Sequence, residues 1–506
     1  MNVGQWTTQW AGLHPDEPCI KSGGIEFSKR EFNLRVNRLC HALLDAGIAG
    51  DDRVAALMAN GNVFLEMFFA VSKLGAIMVP LNFRLAPAEM EYILGDSSPD
   101  MLIYSPEFGE LVEALREKMQ GVKKIVCEMP GHAAEDDEYE AWIKDYSGAE
   151  PDVKWDVDME DPHLIIYTSG TTGKPKGAVI THANTQWNAV HYLHNYRCDH
   201  SHVTACCAPF FHVGGLLCSA VPNIYAGAKL IIQRFFDPAG ILGLIQENGV
   251  NSMLGIPVMY MLMAQTPEFA EADLSSVEYF IVGGSPCSKP LIETYQQKGV
   301  VFSQGYGMSE APVITTLRPE DCLDKIGSCG KPMFHMQVRL IDAQGNDVPV
   351  GETGEILSKG PAVFPQYWRN PEATAATIEN EWIHTGDMGC FDADGFLYIK
   401  DRKKDMYISG GENVYPAEVE NVITGFPEVA DVAVIGMPDE KWGETGMAIV
   451  IKAPGAEITD QQIMESCRGQ LAAYKIPKKV VFTDELPRTP SGKPLKKALR
   501  KQYLQA

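Results

Sequence analysis

A chain of 506 residues, 45% hydrophobic and 22% charged, has ordinary globular composition and exceeds what one hydrophobic core supports, so at least two domains are expected. With 43 Lys+Arg against 66 Asp+Glu the net charge is −23; such a surface repels nucleic acid and anionic lipid, so a phosphate ligand must be met by a local positive site. The twelve cysteines are scattered without a C-x-x-C pair, which argues against a structural zinc site and for a reduced, cytoplasmic compartment.

In chain order, Ser28 and Glu31 form a capping box that opens a helix with apolar residues recurring to Leu44. Arg53–Met58 reads as a strand, Phe64–Leu74 as a helix and Ala76–Pro80 as a strand. Glu66, Lys73 and Pro80 interrupt this greasy stretch, so it reads as buried structure rather than a membrane span. Further strands are expected at Asp100–Tyr104 and Lys124–Cys127, and residues 131–162 read as an acidic surface excursion. No basic-then-apolar leader, lipidation motif or peroxisomal signal is read at the termini.

The densest chemistry lies in Tyr167-Thr168-Ser169-Gly170-Thr171-Thr172-Gly173-Lys174-Pro175-Lys176-Gly177. Glycines let backbone N–H groups converge, hydroxyls add donors and lysine adds charge, which together make a phosphate cradle. It is not a Walker A loop, because Pro175 stands where the second glycine would be. A polar hairpin turn is the rival reading. Apolar strands flank it at Leu164–Ile166 and Ala178–Ile180, and Thr181 caps a helix through Leu193.

Beyond it, the block Ala208–Leu216 sets His212 among aromatics and glycines. Strands Tyr279–Val282 and Val300–Gln304 run into Gly283-Gly284-Ser285-Pro286 and Gly305-Tyr306-Gly307-Met308-Ser309-Glu310. Strands that end in glycine loops suit ligand binding beyond the carboxyl ends of a parallel sheet. From about Gln337 short alternating runs suggest an antiparallel, barrel-like lobe, ending near Phe396–Lys400. After the charged break Asp401–Asp405 the chain reads as a small α+β domain, with a helix from Pro416, strands at Val429–Ile435 and Met447–Lys452, and a helix at Gln461–Leu471.

These motifs, with Thr385-Gly386-Asp387, Asp401–Asn413 and Pro490-Ser491-Gly492-Lys493, make the chain resemble the adenylate-forming superfamily of acyl- and aryl-CoA synthetases, peptide-synthetase adenylation domains and luciferases. The resemblance implies an α/β fold: a large N-terminal domain (1–401) of two sheet lobes plus a β-barrel-like lobe, a hinge (402–404) at Lys404, and a small mobile α+β C-terminal domain (405–506). It implies an acyl-CoA synthetase that uses ATP and Mg²⁺ to make an acyl-AMP with release of pyrophosphate, then passes the acyl group to coenzyme A.

By the same resemblance, Thr168, Ser169, Gly170, Thr171, Thr172 and Lys176 hold phosphates. Gly284, Ser285, Pro286, Gln304, Gly305, Tyr306, Gly307, Met308 and Ser309 surround the nucleotide, with Tyr306 on adenine. Asp387 and Arg402 meet the ribose, and Lys493 meets the α-phosphate and the attacking carboxylate. Glu310 with Thr168 holds Mg²⁺. His212, Gly214, Met259, Gly283, Gly307, Met308, Pro312 and Val313 form the acyl pocket, with His212 as a gate to the thiol. Ser409, Gly410, Gly411, Glu412, Trp442, Tyr474 and Lys475 meet CoA. Lys496, Lys497 and Arg500 read as surface charge.

Gly214 and Gly215 are read as leaving space beside His212, against an apolar wall with no cation for a second carboxylate. This favours an aromatic, alicyclic or medium-chain monocarboxylate, with a long-chain acid or carrier-protein loading as the alternatives. The latter lacks the aspartate that the block at Phe211-His212 carries in amino-acid adenylation domains. The expected partners are the acid, ATP and CoA, without nucleic acid or membrane span, and with homodimerisation open.

Overall fold

The computed structural model describes residues 2–119, 121–129, 136–153, 155–168, 174–285, 287–409, 412–468, 470–488 and 493–504. They form a mixed α/β protein of two compact units, one of Met1–Val338 with Ser358–Ile383 and one of Arg339–Leu357 with His384–Ala506.

The first unit is built on two sheets. Eight strands run in the order Gln366–Tyr367, Lys176–Thr181, Pro162–Thr168, Ile77–Pro80, Arg53–Leu57, Met101–Tyr104, Lys124–Cys127 and Asp137–Glu138. All but the first two pairings are parallel. Nine strands form the second sheet: Lys331–Pro332, Ala311–Leu317, Phe302–Met308, Tyr279–Val282, Ser252–Gly255, Val203–Cys206, Lys229–Ile232, Pro18–Ser22 and Ile25–Ser28.

Two helices join these sheets into one core. Helix Lys29–Asp45 starts at the predicted box: the Glu31 amide donates to Ser28 Oγ, and the Ser28 amide donates to the Glu31 carboxylate at 2.8 Å. Helix Asn62–Leu74 is buried along nearly its whole length and shares an apolar cluster with strands of both sheets. Full burial of a side chain such as Phe64, Phe68 or Phe69 contributes about 1.5–3 kcal/mol. Among the described residues no helix is long and apolar enough to cross a membrane.

Three expectations change. The acidic stretch after residue 131 is more than an excursion, because Tyr139 and Ile143 are buried and the Tyr139 hydroxyl donates to Glu66. Glu150 likewise accepts from the buried Lys73 at 2.8 Å. Second, Gly305–Met308 is not a loop: it continues the strand Phe302–Met308 and pairs antiparallel with Ala311–Leu317. A Cβ on Gly307 would lie 2.1 Å from the Pro312 carbonyl oxygen, so glycine is what lets this pairing close.

Third, in the second unit Thr385-Gly386-Asp387, whose Thr-Gly pair reads in the sequence as a tight turn before the aspartate, lies within the strand Trp382–Phe391. Gly386 is left-handed there, and its carbonyl accepts from the Lys403 amide at 2.8 Å. That strand pairs antiparallel with Leu397–Arg402, setting Asp387 opposite Arg402. A further sheet runs Glu412–Val414, Tyr407–Ser409, Gly443–Lys452 and Val429–Asp439, with Lys479–Phe482 parallel to the third. Helices Pro416–Thr424, Asp460–Cys467 and Lys496–Leu504 complete the unit. The last is held by Lys496 on Glu420 at 2.8 Å and Arg500 on Asp405 at 3.0 Å, so these two basic residues are docking contacts rather than loose surface charge.

Candidate functional site

In the first unit the strands Pro162–Thr168 and Lys176–Thr181 pair antiparallel, with Thr168 opposite Lys176. The flanking strands thus form the hairpin of the rival reading, which is compatible with a phosphate cradle between them. Ser169, Gly170, Thr171, Thr172 and Gly173 lie outside the described residues, as do Pro286, Gly410 and Gly411.

The edge strand Gln366–Tyr367 then adds a residue that sequence reasoning missed. Tyr367 pairs with Ala178, and the Lys176 ammonium sits 4.7 Å from the centre of its ring. The same tyrosine donates its hydroxyl to Glu310 Oε1 at 2.6 Å. Tyr367 and Glu310 are both about 5% exposed, so one buried phenol holds the lysine by cation–π attraction and the carboxylate by a charge-assisted hydrogen bond. Burial, with Glu310 beside it, pushes the phenol well above its ordinary value, so it stays a donor. Glu310 is further fixed through its backbone, where its carbonyl accepts from the Phe364 amide at 2.8 Å.

Around these groups Gly284 is left-handed and exposed, and Ser285 donates to the Gly284 carbonyl. Gln304 and Tyr306 are buried; Gly305, Gly307, Met308 and Ser309 are half-buried. A Cβ at Gly305 would meet nothing within 4 Å, and at Gly283 only the Gly305 carbonyl at 3.9 Å.

His212 is half-buried beside Phe211, with ring centres 4.6 Å apart, and its Nε2 has no protein partner. Burial, and secondarily Arg84, lowers its pKa to about 4, so the ring is neutral near pH 7. The two glycines after it differ. Gly214 faces open space, whereas a Cβ on Gly215 would strike the Pro209 carbonyl oxygen at 2.3 Å. Gly215 therefore serves close backbone packing, and only Gly214 leaves room. Met259 and Pro312 are buried and Val313 half-buried.

In the second unit Arg402 Nε meets Asp387 Oδ1 at 2.6 Å, Asp387 being 5% exposed. Lys493 shares their electrostatic surroundings: desolvation of its ammonium and then Arg402 lower its pKa, while Asp387 opposes them, although the residue as a whole is exposed. Sequence positions over a hundred residues apart thus converge as two cations and one carboxylate. Lys404 is exposed, as is Glu412. Ser409 is buried, and Lys475 is held by both carboxylate oxygens of Glu418. Tyr474 packs on the apolar cluster of this unit, and Trp442 carries Lys441 over its ring at 5.1 Å.

Lys176, Thr168 and a buried carboxylate about a hairpin in the first unit, and a carboxylate near two cations in the second, are each the equipment of an enzyme that handles a nucleotide polyphosphate. The sequence matches the AMP-binding enzyme family over residues 7–368 and its C-terminal domain over residues 418–493. Similar proteins include a feruloyl-CoA synthase of Amycolatopsis sp, 40% identical over 503 residues that cover 99% of each chain. Another is the long-chain-fatty-acid–CoA ligase FadD13 of Mycobacterium tuberculosis, 39% identical over 510 residues, 99% of this chain and 98% of that one. Among solved structures, the anthranilate CoA ligase AuaEII in complex with anthranoyl-AMP superposes with a TM-score of 0.92 at 28% identity, over 100% of this chain and 98% of that one. The chain belongs to the AMP-binding, adenylate-forming enzyme family. It is an AMP-forming acyl-CoA ligase, an acid–thiol ligase that uses ATP and CoA.

Proposed function

We propose that the acid is a monocarboxylate of the aromatic, alicyclic or medium-chain class. The observation that carries this reading is the character of the pocket residues: open space at Gly214 beside a neutral His212, and apolar Met259, Pro312 and Val313. None of these offers a cation to a second carboxylate. Pyrophosphate release across a panel of acids, with and without CoA, tests it. The highest kcat/KM should fall on an acid of this class; a long-chain fatty acid turning over best overturns the reading.

In this proposal the first step brings together two anions, the carboxylate and the α-phosphate of ATP, so positive groups must offset their repulsion while attack is held in line. Lys176 and the hydroxyls from Thr168 to Thr172 bind the β- and γ-phosphates. Tyr306 stacks on adenine, backed by the Gly283–Ser285 backbone, with residues 304–309 around it. Asp387 accepts from the ribose hydroxyls and Arg402 reaches the ribose or phosphates. Lys493 donates to the α-phosphate and the attacking oxygen, where charge develops in the transition state.

Mg²⁺ fits Glu310 and Thr168, which offer hard oxygen donors, and it would neutralise phosphate charge there. Among the described residues no three His, Cys, Asp or Glu side chains gather into a metal cage; Mg²⁺ held largely by phosphate and water needs none. For the second step, residues 409–412 pass the pantetheine arm, Trp442, Tyr474 and Lys475 meet the nucleotide of CoA, and His212 gates the thiol. We divide the chain at the hinge 402–404, with Lys404 its pivot, into domains 1–401 and 405–506. We further assign the enzyme to the cytoplasm, with homodimerisation as the oligomeric state to test by sedimentation.

A further inference from the structure

Helix His182–Tyr196 buries an unusual stripe. Its inward positions Asn184, Asn188, His191 and Asn195 recur at helical spacing, yet they are amides and an imidazole where aliphatic residues would suit a core. Asn184 is accounted for: it donates to the Pro361 and Val363 carbonyls. The others are not. Asn188, 2% exposed, donates to the Leu217 carbonyl but leaves its Oδ1 unpaired. His191, 1% exposed, has no protein partner at either ring nitrogen. Facing it, His335 stacks at 5.3 Å and 20°, and its buried Nδ1 is also unpaired.

A buried polar group left without a hydrogen bond costs about 1–3 kcal/mol, and here four such atoms stand together. Buried polar groups of a native core find a partner, in bound water or in a ligand.

The cluster is linked by packing to the proposed acyl wall. Trp187 covers His335 at 4.7 Å, and it packs on the cluster Met333, Met336 and Ala362. Val313, on the proposed acyl wall, packs on that same cluster. Asn188 reaches Leu217, on the segment that follows His212 and Gly214. Methionines, which adapt their shape, thus lie between the apolar wall and the polar pair and can yield to a ligand that spans them.

We propose that His191 and His335 form the polar far end of the acyl pocket and select an aromatic acid bearing a ring hydroxyl. This rests on the aromatic branch of the reading above and narrows it. A neutral imidazole offers one donor and one acceptor, and a phenol hydroxyl answers both. A second carboxylate is not served there: burial first, then His335 and His194, lower the pKa of His191 to about 4, so the ring carries no charge near neutrality. An alkyl chain would leave the nitrogens unpaired.

The test is kcat/KM for pyrophosphate release with four probes: a 4-hydroxyphenyl acid, its unsubstituted phenyl analogue, its 4-methoxy ether and octanoate. The wild-type enzyme should favour the hydroxy acid over both aryl analogues by about tenfold or more. His191→Leu and His335→Leu should each cut the hydroxy-acid value by about tenfold while leaving the unsubstituted acid within about twofold. Equal values for hydroxyl, ether and unsubstituted ring in the wild-type enzyme overturn the proposal without any variant having to fold. So does a variant that lowers all probes alike. Octanoate outrunning every aryl acid defeats instead the aromatic reading on which it rests.

Discussion

The candidate-site groups of the two units are held differently, those of the first by a buried phenol and those of the second by a more exposed ion pair. Around Tyr367, Lys176 and Glu310 are fixed by a phenol that is itself in the core. Around Asp387, the arginine partner is 43% exposed at its side chain and Lys493 is exposed. Desolvated contacts are strong and cost little reorganisation when a ligand arrives, whereas exposed ones are weak and readily exchanged. Under the roles proposed above, preorganised phosphate and metal groups in the first unit, and exchangeable ribose and α-phosphate groups in the second, suit an enzyme that must bind ATP and then release AMP.

The sharpest way to break this contrast is at Lys493. Lys493→Ala should lower acyl-AMP formation by about 10²–10³-fold, the usual loss for one transition-state donor, yet leave conversion of supplied acyl-AMP to acyl-CoA intact. Equal loss of both half-reactions would remove Lys493 from the first step. Next, proline at Lys404 restricts φ at the proposed pivot. Thioester formation should fall about tenfold or more while pyrophosphate release stays within about twofold; survival of both steps would displace the hinge.

Tyr367→Phe sharpens the other side. It keeps the ring under Lys176 and removes only the hydroxyl on Glu310, a charge-assisted bond of about 1.5–3 kcal/mol. The expectation is a fall of about tenfold in kcat/KM for ATP, with a raised Mg²⁺ requirement. An unchanged Mg²⁺ dependence would make the hydroxyl merely structural.

Acid gives the smallest and most general effect. His163, His182, His191 and His212, all in the first unit, are held below the ordinary value of 6.5 by burial, His182 at about 3 and His191 and His212 at about 4. Below pH 6.5 the unfolded chain takes up protons that the folded unit does not, so stability is lost as pH falls from about 6.5 toward 4 and is recovered above it. The buried carboxylates Asp401 and Glu420 of the second unit are raised by burial, so their contribution runs the opposite way. Seven of the eight tryptophans lie in the first unit. A urea midpoint followed by tryptophan fluorescence should therefore drop between pH 7 and about 5; a flat midpoint contradicts the assignment.

Much of this was legible before any coordinates. Ser28 with Glu31, the run Phe64–Leu74 and the strands on either side of the glycine-rich loop carry their structure locally, in caps, spacing and composition. Tyr139, Glu150 and Tyr367 did not, because what gives them meaning is a partner far away in the chain. Tyr367 sits in a two-residue edge strand too short to show a period, and only its pairing with Ala178 brings it to Lys176 and Glu310. Gly305 and Gly307 misled for the reverse reason: glycine marks a loop by propensity, but both lie within a strand, and at Gly307 the missing side chain clears space for the neighbouring one. The stripe on helix His182–Tyr196 was readable as polar residues at core spacing, though not what it faces.

All twelve cysteines are free thiols and eleven are buried, leaving Cys390 half-buried on the strand Trp382–Phe391 opposite Tyr398. A thiol sealed in the core does not react until the fold opens around it. Brief treatment with a maleimide dye should consequently mark one position per folded molecule, on the second unit, with no cysteine needing to be engineered away. The natural sequence thus supplies a ready-made optical probe for following that unit through the catalytic cycle.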